Sequence, residues 1–435
     1  MKKKMFIVIT LLVLLFSFPA LGDPADTLTL YVFENPFMVP LIDSALVQFK
    51  AQYPNVHVNL QRYKGFTFED EYSKVLNTEL MAGKGPDVIL FSEYTFLDIN
   101  KVMQTGVFAD LTAYEETLGL KDSRYVQAVM DGGKVGESRL FVPLYYQAPL
   151  LLTTDALVSA ADIEEMNQTD FWAFMERLVE QKEGMPDTKY FSDYWGSSII
   201  SLLKASGISF ADYQQAASAI NMTDVKRLAD ALKAVYQSDY VETTGRIYST
   251  LAYNDLHDHD CLYAYMSMID DCLFTASALG GAGSTPYTTF IPSIEGGVHA
   301  NICYGAAVNS NSASKEWAVA FIKELLSSVA QQEEDEFFYF PVNTEGFTEL
   351  IDKKAGEISG IGIDRNMGWL YSAIPDDVMN SIKNVPERIT RASVVNAQVN
   401  YYMFYQDMLP YLSDEKPLEA CMNEFSNKLS LYISE

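Results

Sequence analysis

The order strand–helix–strand at the start of the chain is the feature that most limits its fold. The segments TLTLYVFE, from Thr27, and VHVNLQ, from Val56, alternate apolar and other residues as half-buried strands do. Between them, Pro40 suits the first turn of a helix, apolar residues follow at helical spacing, and Pro54 ends the run. Two strands joined by one crossover helix pair in parallel. The start of the chain therefore predicts an α/β fold.

The rest of the chain predicts a second α/β unit. Residues 139–152 are extended and carry Pro143 and Pro149, which suits a connection between two lobes. Amphipathic helices follow, and another strand begins at Cys261. Without residues 1–22 the chain has 413 residues, which is more than one core usually organises. We expect one lobe from residues 23–142 and 293–340 and a second lobe from residues 143–292 and 341–435.

The first 22 residues predict an export signal. Three lysines precede an apolar run from Met5 to Phe18, and Ala20 and Gly22 supply the small residues of a cleavage site. The run is shorter than the roughly 20 residues of a spanning helix, so an uncleaved anchor is the secondary interpretation. Asp23 stands where lipoproteins carry the acylated Cys, so no lipid anchor is expected. We expect an extracytoplasmic chain, either secreted or held in a periplasm.

The charge of the chain bears on its partners. The formal charge is −27, and removal of residues 1–22, which contain three Lys and no acid, makes it −30. A surface this acidic repels phosphate backbones, so nucleic acid is not expected as a partner. The charge favours a neutral or cationic ligand. It is equally consistent with an exported surface that is merely soluble.

The segment NDLHDHDCLYAYM, from Asn254, contains residue types that bind metals. If it were extended, His257, His259 and Cys261 would share a face but span roughly 13 Å. Ligands of one zinc ion at about 2.0–2.3 Å do not converge across that length. We therefore expect a polar loop and no metal or cofactor. A metal-dependent hydrolase that uses His257 and His259 stays open as an alternative.

Three segments, taken in order, resemble extracellular solute-binding proteins of ABC importers, the large and mainly saccharide-binding group. They are KGPDVILFSE (residues 84–93), FVPLYYQAPLLLTTDAL (141–157) and GAAVNSNSASKEWAVAFIKELLS (305–327), with FPVNTEGF (340–347) after them. The resemblance covers nearly all of the chain after residue 22. It implies a two-lobe periplasmic-binding-protein-like fold, in which each lobe is a mostly parallel sheet flanked by helices and a multi-strand hinge joins the lobes. It also implies that the lobes close around a ligand.

Candidate ligand-binding residues follow from the strand ends. In open parallel sheets, ligands bind outside the carboxyl ends of the strands, and sugar pockets combine aromatic faces with a few polar groups. The candidates are Glu34, Asn35, Glu93, Tyr94, Tyr145, Tyr146, Trp195, Asp270, Tyr304 and Trp369.

Several of these candidates have a structural alternative. Tyr145 and Tyr146 point to opposite sides of an extended strand, so only one of them would face the cleft. Trp195 and Trp369 are also typical core residues. Glu93 and Asp270 are also typical of helix N-termini.

The sequence shows no Gly-x-Ser-x-Gly elbow, phosphate loop or dinucleotide fingerprint, so no enzyme is expected. Our prediction is a monomeric saccharide receptor that delivers its ligand to the permease subunits of an ABC transporter. A binding protein for another solute, such as a peptide or polyamine, is the first alternative. An exported metal-dependent hydrolase is the second.

Overall fold

The computed structural model describes residues 26–434 apart from 37, 66, 68, 194–197, 216, 220, 240–250, 267, 334–338 and 365–367. The expected export signal and Trp195 therefore lie outside the described residues.

The strands are, in chain order, β1 (Thr27–Glu34), β2 (His57–Lys64), β3 (Val88–Ser92), β4 (Lys134–Val135), β5 (Ser138–Arg139), β6 (Val142–Gln147), β7 (Leu150–Thr154), β8 (Lys189–Asp193), β9 (Ala211–Asp212), β10 (Ala217–Ser218), β11 (Cys261–Met266), β12 (Pro286–Phe290), β13 (Val298–Val308), β14 (Phe340–Pro341), β15 (Ile363–Asp364), β16 (Trp369–Leu370) and β17 (Ile389–Ser393).

The helices are α1 (Val39–Gln52), α2 (Glu71–Met81), α3 (Ile99–Gln104), α4 (Glu115–Leu118), α5 (Gln127–Asp131), α6 (Ala160–Met166), α7 (Phe171–Glu183), α8 (Ser198–Ser206), α9 (Met222–Asp239), α10 (Leu251–His257), α11 (Ile269–Gly281), α12 (Lys315–Leu325), α13 (Ser328–Gln331), α14 (Thr344–Ser359), α15 (Asp376–Lys383), α16 (Val385–Arg388), α17 (Gln406–Leu412) and α18 (Leu418–Ser434). A 3-10 turn covers Thr112–Tyr114, and a π-helix covers Gln398–Tyr405.

The first strand–helix–strand unit is confirmed. β1 and β2 pair in parallel from Thr27↔His57 to Glu34↔Lys64, with α1 between them in the sequence. Pro40 lies in the first turn of α1, whose apolar face includes the fully buried Phe49. These three elements form one side of the first lobe.

Two larger sheets organise the molecule. One has the order β14-β6-β13-β3-β1-β2, with β17 beside β13, and the other has the order β12-β7-β11-β8. We call the elements built on them the first lobe and the second lobe. The two-lobe α/β fold is thus confirmed, but both sheets are mixed rather than mostly parallel. The reason is that β13 runs antiparallel to β3 and β6, and β7 runs antiparallel to β11 and β12.

The lobes are joined where consecutive strands belong to different sheets. Ala148 and Pro149 connect β6 to β7, and residues 291–297 connect β12 to β13. These connections form the hinge. Pro149 lies in it as expected, whereas Pro143 lies within β6 and is paired with Gly305 of β13. The expected lobe boundaries stay a prediction, and the strand β6 that starts at one of them pairs within the first sheet.

The second lobe contains the C-terminal helices. The π-helix and α17 pack against α18, and α17 also packs against α9, which in turn contacts β8. Asp170 caps α7: its carboxylate accepts hydrogen bonds from the backbone N–H groups of Trp172 and Ala173. The C-terminal helix α18 therefore belongs to the lobe that lies across the cleft from β1 and β3.

The four cysteines, Cys261, Cys272, Cys303 and Cys421, are free and buried. Among the described residues, no helix combines the length and the apolar character that a membrane crossing needs.

Candidate ligand-binding site

The carboxyl ends of β1 and β3 lie side by side and bring four candidates to one edge of the first sheet. β1 and β3 are parallel neighbours, so their last residues meet at the same edge. Glu34 is exposed there, whereas Asn35 is fully buried. Glu93 is 7% exposed and Tyr94 is 39% exposed. The edge thus offers solvent an acid and an aromatic ring, with buried polar groups behind them.

Tyrosine side chains form the inner wall of this edge. The Asn35 side-chain amide donates a hydrogen bond of 3.2 Å to the Tyr304 hydroxyl. The Tyr304 ring lies parallel to Phe33, with the ring centroids 6.3 Å apart. It meets Tyr145 edge to face at 6.2 Å and Tyr339 at 5.3 Å. The sequence therefore identified three residues of one cluster, Asn35, Tyr145 and Tyr304, although Tyr145 and Tyr304 are both buried.

Tyr146 lies apart from this wall. Its ring stacks on Phe340 with centroids 5.3 Å apart, and the residue is fully buried in the first lobe. Burial raises the pKa of its hydroxyl. This geometry gives a ligand-binding role for Tyr146 no support, because the ring packs inside the core.

Glu93 joins the two lobes through an ion pair. Its carboxylate lies 3.1 Å from the ammonium group of Lys204, which α8 of the second lobe provides. The same oxygen accepts a hydrogen bond of 2.9 Å from the side-chain amide of Asn301 in β13. Burial by itself lowers the pKa of Lys204, but nearby negative charge, that of Glu93 foremost, reverses the direction and raises it. Lys204 therefore stays charged, and the negative charge of Glu93 is neutralised where it lies.

Tyr94 is the half-exposed aromatic residue at this point. The charge of Glu93 raises the pKa of Tyr94, the charge of Lys204 opposes this effect, and burial adds to it. The Tyr94 hydroxyl consequently stays protonated and can donate a hydrogen bond. Its ring face and its hydroxyl together are the kind of group that sugar pockets use.

Asp270 and Trp369 form a second group in the second lobe. Asp270 lies in the first turn of α11, and one of its oxygens is 3.7 Å from the ammonium group of Lys354. The Trp369 ring packs against Tyr253 at 4.5 Å and against Tyr371 at 6.4 Å. Lys354 lies on α14, which packs on α13 and β14 of the first lobe, so the ion pair of Asp270 joins the two lobes, whereas the ring contacts of Trp369 lie within the second lobe. Their roles in ligand binding stay predictions.

A cavity of about 180 Å³ lies next to the ion pair. It is lined by residues of both lobes, among them Asn100, Lys204, Tyr213, His299, Ser393 and Asn396. Burial lowers the pKa of His299 to about 4, although a hydrogen bond with the Lys204 carbonyl opposes the effect. His299 is therefore neutral at pH 7, and the cavity is polar.

Lys204 and Asn301 are the site residues that the sequence analysis missed. Lys204 is the one charged residue of α8, whose sequence is SIISLLKAS. A charge within an otherwise uncharged helix is a signal that could have identified it. Asn301 interrupts an apolar strand in the same way, since all of β13 is buried. Neither signal identifies Glu93 as the partner, because Glu93 is 111 residues from Lys204 and 208 residues from Asn301 in the sequence.

The histidine segment is partly helical. α10 ends at His257, a turn covers residues 258–260, and β11 begins at the buried Cys261. The predicted loop is therefore confirmed only for residues 258–260. The His257 ring stacks on Tyr253 at 5.3 Å, and His259 adopts a positive φ of 61°. Within the described part of the chain, no three His, Cys, Asp or Glu side chains gather closely enough to hold a metal ion.

Comparison with known proteins gives one family and many structures. A family model described as bacterial extracellular solute-binding protein matches residues 34–332. No curated protein matches the chain.

Three of the similar structures have the same two-lobe fold. The sugar-binding protein MalE from Xanthomonas citri has a TM-score of 0.68 at 15% identity, over 94% of this chain and 97% of that one. An ABC substrate-binding protein from Listeria monocytogenes, solved with cycloalternan, has a TM-score of 0.57 at 16% identity, over 94% and 99%. A periplasmic solute-binding protein from Pectobacterium atrosepticum has a TM-score of 0.59 at 15% identity, over 94% and 98%. At these identities the likeness shows the fold alone.

Proposed function

The chain belongs to the family of bacterial extracellular solute-binding proteins, and from this premise we propose that it captures a saccharide between its lobes and delivers it to the permease of an ABC importer. Capture needs no covalent step: the lobes close around the solute and open again at the permease. The proposal therefore names a receptor and not an enzyme.

The observation that carries the saccharide proposal is the edge at the ends of β1 and β3, where the half-exposed Tyr94 lies in front of the buried Asn35. The half-exposed Tyr94 provides a ring face for sugar C–H groups and a protonated hydroxyl for a sugar oxygen. Behind it, Asn35 and Tyr304 hold each other in place, so the edge is preorganised. Two of the structural relatives support the same class of ligand, because one is a sugar-binding protein and the other was solved with cycloalternan.

A cationic solute, such as a polyamine, is the second candidate. The formal charge of −27 favours it through long-range attraction. Within the site, however, Glu93 already has Lys204 and Asn301 as partners, so this buried carboxylate offers a cation little net charge. The surroundings of Glu93 therefore favour a neutral ligand.

The test is thermal unfolding of residues 23–435 against neutral mono- and oligosaccharides, amino acids, peptides, polyamines and zinc. A ligand at 100 times its Kd adds about 2.7 kcal/mol to the apparent stability, which raises the Tm clearly. We expect a shift with a saccharide and none with zinc. A shift with polyamines alone would replace the saccharide proposal by the second candidate, and a shift with zinc alone would contradict both.

Tyr94→Ala should weaken saccharide binding about tenfold or more, because it removes a ring face and a hydroxyl at the exposed edge. Isothermal titration calorimetry measures the change. Tyr94→Phe should keep most of the affinity if stacking dominates. The control is Tyr53→Ala: Tyr53 follows α1 at the opposite edge of the sheet, where it packs on Trp317, so the affinity should not change. Equal losses for Tyr94→Ala and Tyr53→Ala would show that the loss reflects general destabilisation.

A further inference from the structure

Asp98 connects the two lobes at a point that is distinct from both the hinge and the Glu93–Lys204 pair. It is 6% exposed and caps α3 of the first lobe, where one carboxylate oxygen accepts hydrogen bonds from the backbone N–H groups of Asn100 and Lys101 at 2.9 and 3.3 Å. The other oxygen accepts the hydroxyl of Tyr213 at 2.8 Å and that of Tyr432 at 2.7 Å. Both tyrosines belong to the second lobe. One buried carboxylate thus serves the helix of one lobe and two side chains of the other.

Lys101 makes two further contacts with Tyr432. Its ammonium group donates a hydrogen bond of 2.5 Å to the backbone carbonyl of Tyr432 and lies 3.8 Å from the centroid of the Tyr432 ring. The hydroxyl, ring and carbonyl of Tyr432 are therefore all held by α3 and its cap. Tyr432 is part of α18, so these contacts attach the C-terminal helix of the second lobe to the first lobe.

Tyr213 brings in a third part of the chain. Its hydroxyl accepts a hydrogen bond from the side-chain amide of Asn396, which lies between β17 and the π-helix. Burial raises the pKa of both Tyr213 and Tyr432, and Asp98 raises it further, so both hydroxyls stay protonated and act as donors. We call Asp98, Lys101, Tyr213, Asn396 and Tyr432 the Asp98 latch.

The latch can form in only one relative orientation of the lobes. The groups that meet in it are 115 and 334 residues apart in the sequence and are carried by different lobes. Lobe opening about the hinge would separate Asp98 from both hydroxyls at once. Hydrogen bonds to a charged group are the strong ones, and each is typically worth about a tenfold change in an equilibrium constant or more. The latch therefore favours the arrangement of the lobes seen in this structure, which we call closed, whatever lies in the cleft.

We infer that the Asp98 latch sets the balance between open and closed lobes, and through it the affinity of the site. The part of this inference that concerns affinity rests on the proposed function, whereas the part that concerns the balance between open and closed lobes does not. Tyr213 and Asn396 line the 180 Å³ cavity, whereas Asp98 and Tyr432 are not among its described lining residues. Asp98 and Tyr432 are thus positioning residues, and Tyr432 is the better one to change because Asp98 also caps α3.

The first test needs no ligand. Val47→Cys in α1 and Met222→Cys in α9 place spin labels at exposed positions of the two lobes, while the four native cysteines are buried. Pulsed dipolar spectroscopy then compares Tyr432→Phe with the otherwise unchanged chain. We expect Tyr432→Phe to lower the ratio of short to long distances about tenfold. An unchanged distance distribution would overturn the inference.

A matched control separates the latch from a general loss of tyrosine hydroxyls. The Tyr411 hydroxyl donates to Asp230 at 2.6 Å, and both residues belong to the second lobe. Tyr411→Phe should therefore leave the distances unchanged. An equal shift for Tyr411→Phe and Tyr432→Phe would also overturn the inference.

The second test measures binding kinetics with the saccharide found by the thermal panel. Because the latch also holds the lobes closed around a bound saccharide, Tyr432→Phe should raise the dissociation rate about tenfold. Unaltered dissociation together with shifted distances would disprove the link to affinity. A panel without any saccharide hit would count against the proposed function, while the ligand-free distances would still decide on the latch.

Discussion

Replacing Lys204 with Met should cost the closed conformation about 3 kcal/mol, since Glu93 would remain buried without its counter-charge. Because the two residues belong to different lobes, the chain can avoid this cost by opening and hydrating Glu93. The loss should therefore appear in ligand binding rather than in unfolding. Calorimetry should show saccharide affinity reduced more than 100-fold, and thermal unfolding should show a Tm lowered by only a few degrees.

Two variants separate this explanation from simpler ones. The double variant Glu93→Gln/Lys204→Met removes both charges and should regain most of the affinity, which a double-mutant cycle quantifies. Lys233→Met is the matched control: Lys233 is 20% exposed, as Lys204 is 19% exposed, but its partner Asp414 is exposed and belongs to the same lobe. Affinity that stays low in the double variant would show that Lys204 contacts the ligand itself. A Tm that falls by 15 °C or more would show that the pair holds one lobe together.

Local patterns predicted the elements of the fold well, because the period of apolar residues depends on neighbours in sequence. β1, α1 and β2 lie where that period placed them. The direction of the strands was harder to predict. β13 lies between β3 and β6, and this pairing joins segments far apart in sequence, so no local pattern encodes it. The expectation of mostly parallel sheets therefore failed at the strands next to the hinge.

The candidate site shows the same limit at the level of side chains. Asn35, Tyr145 and Tyr304 could be selected because they stand at strand ends or in crossing strands, and the fold brings them together. That all three side chains are buried could not be predicted from their positions in the sequence. Glu93 looked equally suited to cap a helix, and its partner Lys204 is 111 residues away. Contacts that depend on how two lobes meet, such as Asp98 with Tyr432, leave no trace in a local pattern.

His299 should make the stability of the protein depend on pH by about 3 kcal/mol. Burial lowers its pKa from 6.5 to about 4, so the unfolded chain takes up a proton below pH 6.5 that the folded chain refuses until about pH 4. The contribution of His299 to the free energy of unfolding should therefore fall as the pH drops from 6.5 to 4, and this contribution should be constant above pH 7. Urea unfolding at intervals across this window measures the change.

Comparison of His299→Gln with the unchanged chain isolates the contribution of His299 to the pH dependence of the free energy of unfolding. Burial raises the pKa of Asp239 and of Asp271 to about 6, and these acids should stabilise the fold as the pH falls from 6, which opposes the histidine. His299→Gln keeps these acids and removes the titrating ring, so its free energy of unfolding relative to that of the unchanged chain should rise by up to about 3 kcal/mol between pH 7 and pH 4. The control is His57→Gln at an exposed position of β2, which should follow the unchanged chain. If the free energy of unfolding changed with pH in the same way in all three proteins, the His299 ring, which lies between Lys204 and Ser393, would accept a proton in the folded state. The hinge would then tolerate a charge beside the Glu93–Lys204 ion pair.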